Sequence, residues 1–179
     1  MGYAQKILPH YTYDDYVQWE GRWELIEGHP IAMSPSPVPR HQLVVTALLI
    51  EFTLALKAIG CKNCKVYPSL DFKIAEDTVV QPDISIACGE TTQKFLDFPP
   101  ALVVEILSPS TALRDKNTKF DLYESQGVKY YLIVDIDQEV IDLYELINGS
   151  YQLIKKDRNF TYDFTFDPCS VTIDFKEIW

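Results

Sequence analysis

The sequence predicts an α/β (α+β) chain built on a mixed central β-sheet flanked by helices. Three observations carry this. Apolar residues recur at helical spacing from Arg40 to Ile59. The run VKYYLIVDI is almost continuously apolar, as a strand covered on both faces must be. The elements run helix, several strands, helix, strands, which suits one sheet with helices on its faces.

Taken in order, YTYDDYVQWEG predicts a short helix capped by Thr12 and stopped by Gly21. RWELIEGHPIAMS predicts a hairpin turning at Gly28, with Trp23, Leu25 and Glu27 on one side and Glu24 and Ile26 on the other. SPSPVP is a proline-punctuated loop. The long helix follows, with Val44, Val45, Leu48, Leu49, Phe52, Leu56 and Ile59 on its apolar positions and Gly60 as its stop. KVYPSLDFKI and TVVQPDISIAC read as strands around the acidic turn Glu76-Asp77. ALVVEIL is the next strand. SPSTALRDKNTKFDLYESQG reads as one capped helix ending at Gly127. VKYYLIVDI takes a central place in the sheet. EVIDLYELINGSYQLIKK turns at Asn148-Gly149, a strong hairpin signal, and VTIDFKEIW closes the chain.

The 179 residues suit one domain, 1–179, with the N-terminal helix and hairpin (about 12–34) packed on its core. The net charge of −10 argues against a sequence-blind nucleic-acid coat. Arg114, Lys116 and Lys119 nevertheless form one basic cluster, and Lys155, Lys156 and Arg158 a second that reads as solvated surface. No apolar run stands out as long enough to cross a bilayer, so no membrane partner is expected. The start MGYAQKILPHYTYDDY lacks a basic-then-apolar leader, which predicts a cytoplasmic chain. Cys61-Lys-Asn-Cys64 has the spacing of half a zinc site or a redox motif. No second Cys/His pair follows at a matching spacing, and Cys88 and Cys169 lie far along the chain. Free thiols in a reducing compartment are the expectation.

The stretch PPALVVEILSPST poses a sharper question. Side chains alternate along a strand, so Val103, Glu105 and Leu107 share one face and Val104 and Ile106 the other. In PDISIAC, Asp83, Ser85 and Ala87 share a face opposite Ile84, Ile86 and Cys88. Each strand therefore sets one carboxylate among apolar neighbours, where an unpaired charge is costly. A divalent cation is a partner that two carboxylates can share. A salt bridge to Arg114 or Lys119 is the alternative. Lys119 stands one helical turn before Tyr123 and can reach the end of the Glu105 strand. Asp, Glu and Lys around one metal are the groups that phosphodiester hydrolysis requires.

VVQPDISIA, ALVVEILSPST and RDKNTKFDLYESQGVKYYLIVD together resemble the Uma-two restriction-endonuclease family, of the PD-(D/E)XK nuclease superfamily. EGRWELIEG and the helix of His41 resemble its N-terminal part. The resemblance runs from about Trp19 to about Tyr144. It implies a restriction-endonuclease-like fold and cleavage of DNA that depends on Mg²⁺, with Mn²⁺ as a substitute. Pro82-Asp83 matches the Pro-Asp half-motif and Glu105 the second acid, which makes Asp83 and Glu105 the implied metal ligands. One departure is plain: the pattern has Lys two residues after that acid, and this chain has Leu107. Lys119, in the following helix, is the implied replacement as the third catalytic residue.

Glu24 is a candidate extra acid, or else a hairpin surface residue. His41 opens the long helix and is either near the substrate or locally hydrogen-bonded. Lys116 competes with Lys119 for the lysine role. Asp71 and Asp77 read as exposed-turn residues, and Asp115 as a charge in the first turn of its helix. Three function classes follow: a Mg²⁺-dependent endodeoxyribonuclease, a catalytically inactive binding or interaction module of the same fold, and a structural homodimer with an internal salt bridge. A homodimer also suits the first class. The tail Ile178-Trp179 and the hairpin from Tyr144 to Tyr151 are the expected dimer surfaces.

Overall fold

The breaks between strands at Ser69 and Gln81-Pro82 carry the chain between the two larger of the three sheets that the described residues form. The structure is a computed structural model, and it describes residues 8–33, 38–108 and 112–179, the side chain of Arg114 excepted. Most of the expected SPSPVP loop, and the Arg114 member of the basic cluster, lie outside the described residues.

A short helix α1 (Tyr13–Tyr16) starts at Thr12, whose backbone N–H and hydroxyl both donate to Asp15. The hairpin β1 (Trp23–Ile26) and β2 (His29–Ala32) turns through Glu27 and Gly28, both at positive φ. Helix α2 (Pro39–Ala58) begins with proline in its first turn, where no N–H is missed. Then come β3 (Cys64–Pro68), β4 (Phe72–Ala75), β5 (Thr78–Val80), β6 (Ile84–Cys88) and β7 (Leu102–Ile106). Each of the two strands expected around Glu76-Asp77 is thus two. Ser69 at φ 45° ends the first half of one, and Pro82, which cannot donate to a ladder, separates β5 from β6.

Helices α3 (Ala112–Lys116) and α4 (Thr118–Ser125) replace the single helix expected there. Asn117, at φ −124° and ψ −77°, breaks the helical path between them. The chain ends with β8 (Tyr130–Asp135), β9 (Val140–Ile147), β10 (Ser150–Asp157), β11 (Thr161–Phe166), β12 (Cys169–Asp174) and a 3₁₀ turn, Phe175–Ile178.

The main sheet has the order β10-β9-β8-β7-β6-β3, with β7 and β8 parallel and every other pair antiparallel. The apolar strand VKYYLIVDI does sit inside this sheet, as β8. The smaller sheet, β2-β1-β5-β4, brings the N-terminal hairpin against the core through Leu25 opposite Val79. On one face of the main sheet, α2 and the β11–β12 hairpin bury Leu48, Phe52 and Phe164 against Ile84, Val104 and Leu132. On the other, Tyr123 of α4 packs with Ile26, Val103, Leu107, Tyr131 and Ile133. The fold is therefore the mixed sheet with flanking helices that the patterning predicts.

Several expectations are corrected. By length and composition α2 is apolar enough to cross a bilayer. Its face of Val44, Leu48, Phe52 and Leu56 is occupied by the core, and Leu43, Ile50 and Leu54 lie exposed on the opposite side. Part of the surface expected to pair two chains also packs within the chain, while Trp179 is half-buried and residues 148–150 are exposed. Ile178 is buried, and Tyr144 and Tyr151 close on Phe120 with ring centroids 5.0 and 5.1 Å away. Asp71 is half-buried and accepts from Tyr16 Oη at 3.0 Å and Gln81 Nε2 at 2.8 Å, so it is no exposed-turn residue. Cysteines are not free among the described residues: Cys61 is bonded to Cys169 and Cys64 to Cys88.

At the β9–β10 turn, Asn148 and Gly149 both have positive φ, 52° and 83°. A Cβ on Gly149 would meet nothing within 4 Å, so only the backbone opposes a side chain there. Gly149→Ala is expected to cost about 1 kcal/mol in a denaturant titration, the usual penalty of a left-handed residue with a Cβ. An unchanged midpoint would mean that the turn rearranges freely.

Candidate active site

Strand β7 is buried along its whole length, and Glu105 is its one charged residue. The alternation of the strand turns Glu105 to the face of Val103 and Leu107, under α4. There Lys119 Nζ lies 2.8 Å from Glu105 Oε1, and Tyr123 Oη donates to the same oxygen at 2.7 Å. Lys119 and Tyr123 are both buried and stand one turn apart on α4, so a single helix face supplies both partners.

The same ammonium holds two further acids. Glu24 Oε1, from β1, is 2.7 Å from Lys119 Nζ and also accepts the backbone N–H of Gln81 at 3.0 Å. Asp115 Oδ1, from α3, is 3.6 Å from it. Glu24 is fully buried, so it is not a hairpin surface residue. Asp115 is buried too, and faces the lysine rather than merely charging a helix turn.

Asp83 directly precedes β6. One step beyond the pair Ile84–Val104, the antiparallel register sets it opposite Glu105. Its Oδ2 accepts the backbone N–H of Ile106 at 2.8 Å and lies 3.3 Å from His41 Nε2. His41 is a buried residue at the start of α2, and its Nδ1 has no hydrogen-bond partner among the described residues. Lys116 is exposed and lines a hollow with Leu107, Ile133, Asp135, Asp142 and Lys156, and it forms no ion pair with this group among the described residues. Lys119 is 1% exposed, so it belongs to no basic surface patch. Two members of the second basic cluster are tied to acids, Lys156 to Asp142 and Arg158 to Glu139, and Lys155 is exposed.

Burial pushes the Glu105 carboxyl well above the usual range, Lys119 opposes that, and Asp115, Asp83 and Glu24 add to it. Burial works against the Lys119 charge, yet Glu105, Glu24 and Asp115 outweigh it and raise the lysine above its ordinary value. The Tyr123 hydroxyl is raised by burial and by the adjacent Glu105. Three carboxylates, Glu24, Glu105 and Asp115, thus gather round one ammonium.

This donor set fits a hard divalent cation, which prefers carboxylate oxygens. Asp83 is held through Oδ2 and Glu105 through Oε1, the oxygens that meet Ile106 N–H and His41 in one case and Lys119 and Tyr123 in the other. Sequence reasoning missed the full part played by Asp115 and Tyr123. The signal was present, since residues 115, 119 and 123 are spaced by four, the interval of one helix stripe.

Comparison with known proteins agrees with this frame. A crystal structure titled as a putative nuclease of DUF820 from Anabaena variabilis superposes with a TM-score of 0.66. The match covers 79% of this chain and 83% of that one, at 19% identity, and it shows the shared fold. An uncharacterized protein of Synechocystis sp., slr1290, is 32% identical over 147 residues, covering 76% of this chain and 75% of the relative. The model of the Uma-two family, described as "Putative restriction endonuclease", matches residues 13–161. The chain belongs to this Uma-two restriction-endonuclease family.

Proposed function

We propose that this protein is a Mg²⁺-dependent endonuclease that hydrolyses phosphodiester bonds in DNA. The observation that carries the reading is the cross-strand register that sets Asp83 opposite Glu105, whose carboxylate is held by a buried lysine. Asp83 and Glu105 are the residues that would hold Mg²⁺, with Mn²⁺ as a substitute. When bound, the cation supplies charge neutralisation on the phosphate and a more acidic water. The Ile106 N–H fixes Asp83, and Tyr123 and Lys119 fix Glu105, so neither acid has to be ordered at the moment of reaction. Lys119 brings a fixed positive charge to the site, and His41 orients Asp83 from α2. A homodimer belongs to the same proposal, because cutting both strands of a duplex takes two sites.

The test is nicking of supercoiled plasmid by purified protein in Mg²⁺ or Mn²⁺, beside a melting curve with and without the metal. Wild type is expected to nick only with metal and to melt higher in its presence, since a ligand of the folded state stabilises by mass action. Asp83→Ala should lose both responses. If Asp83→Ala keeps the full melting shift, the metal lies elsewhere.

A second reading, the inactive binding module, has its own support. Leu107 stands where the superfamily pattern has lysine, and Lys119 is sequestered with acids on several sides. Metal-dependent melting without cleavage of plasmid, single-stranded DNA or RNA would decide for the module.

A further inference from the structure

The four cysteines come from three stretches of the chain, 61–64, Cys88 and Cys169, and the sulfurs of three of them meet. Cys61 follows α2 in a turn, with its backbone N–H bonded to Leu56 O. Cys64 opens β3, Cys88 closes β6 directly opposite it, and Cys169 opens β12. The sulfurs of Cys61, Cys64 and Cys169 all lie within 4.8 Å of one another, although they belong to two different disulfides. The fourth sulfur, on Cys88, is bonded to that of Cys64.

Two disulfides in a protein need no such meeting; each needs only its own pair close. Four thiolates around one ion do need it. A tetrahedral zinc site with sulfur at about 2.3 Å sets its ligands about 3.8 Å apart. The mutual approach of three sulfurs is already of that order. Cys61-Lys-Asn-Cys64 has the two-residue spacer common among zinc ligands. Lys62 and Lys65 flank it, exposed, and bring positive charge near a centre whose net charge would be −2. Cys64 and Cys169 are buried, which shields them from competing ligands. An all-sulfur donor set selects a soft-tolerant ion and excludes Mg²⁺ or Ca²⁺.

We propose that, with its cysteines reduced, the chain binds one Zn²⁺ through Cys61, Cys64, Cys88 and Cys169. The site is structural: four protein ligands close it, and no position is left for substrate. It clasps the end of α2, the edge strand β3, the end of β6 and the β11–β12 hairpin. It is separate from the acidic site. Asp83 and Cys88 stand at opposite ends of β6, about 17 Å apart along a strand. Loading transfers no electrons: four S–H groups lose their protons and four S–Zn bonds form. From the disulfide form, each S–S bond first takes two electrons from a dithiol reductant, which leaves as its own disulfide. The same four sulfurs therefore serve as two disulfides under oxidation and as one metal clasp under reduction.

The experiment uses the full-length chain, reduced with dithiothreitol, freed of the reductant anaerobically and given Zn²⁺ or Co²⁺. The expected result is about one zinc per chain by elemental analysis, and a Co²⁺ form with thiolate charge-transfer bands and intense tetrahedral visible absorption. Cys88→Ser and Cys169→Ser should each weaken metal retention by more than about tenfold, while Asp83→Ala keeps the zinc. A reduced wild type that retains no stoichiometric zinc and gives no thiolate band overturns the proposal. So does zinc retained unchanged in Cys88→Ser, or lost in Asp83→Ala. Should the serine variants fail to fold, thiol alkylation of wild type decides. Zinc should protect all four cysteines until a chelator is added, and equal labelling with and without zinc overturns the site.

Discussion

Replacing Lys119 by alanine is expected to destabilise the protein by about 3–5 kcal/mol at pH 8, the range found when one partner of a buried ion pair is removed. The ammonium lies within 2.8 Å of Glu24 and Glu105 and 3.6 Å from Asp115, in a site closed to water. Its loss leaves those carboxylates facing one another in a medium that screens poorly. The pH dependence has a definite sign. The Glu105 carboxyl is raised above its usual value in the folded state. The folded chain therefore holds its proton where the unfolded chain has released it, and the stability from this group falls as pH rises above the ordinary carboxylate range. The contribution of Lys119, raised in the folded state, is fully present below its ordinary value and is lost only as pH rises through the higher folded one. Lys119→Ala should consequently be less impaired near pH 5 than near pH 8, whereas Lys116→Ala should match wild type at both. Urea titrations at the two pH values check this. Equal stability of Lys119→Ala and wild type at pH 8 would show that the acids do not depend on the ammonium.

Glu105→Gln is expected to reduce metal-dependent DNA cleavage by about a hundredfold or more, on the scale of losing one preorganised electrostatic contact. The amide keeps one carbonyl oxygen, which can still accept from Lys119 and Tyr123, so the local fold should survive the change. The charge that would hold a cation is gone. Cleavage rate and thermal melting, measured on the same preparation, separate the two effects. A folded Glu105→Gln protein that cleaves at the wild-type rate would remove Glu105 from the site. Under the zinc proposal the same variant should still retain its zinc when reduced, which keeps the two metal questions apart.

The sequence by itself determined the elements whose local signal and tertiary place agree. The period of 40–59 produces α2, because its apolar stripe is wide enough to need burial. Asn148-Gly149 produces the β9–β10 turn, because few residues other than these accept positive φ at both central positions. Alternation in ALVVEIL and PDISIAC assigns Glu105 to the inner face and marks Asp83 as the acid opposite it.

Tertiary structure decided what depends on distant partners. One strand pattern became β3 with β4, and another β5 with β6, since periodicity cannot say when a chain leaves one sheet for the next. Glu24 could be surface or site until the small sheet carried β1 under α4 and set its carboxylate on Lys119. Asp115 looked like a helix charge until Asn117 broke the helix and the α3–α4 pair closed over the acid group. Cys169 lay 108 residues from Cys61, a separation at which spacing rules say nothing. The packing of the β11–β12 hairpin on α2 brought the two together. Pairing across long sequence distances is fixed by how surfaces bury one another, and that information belongs to the folded chain as a whole.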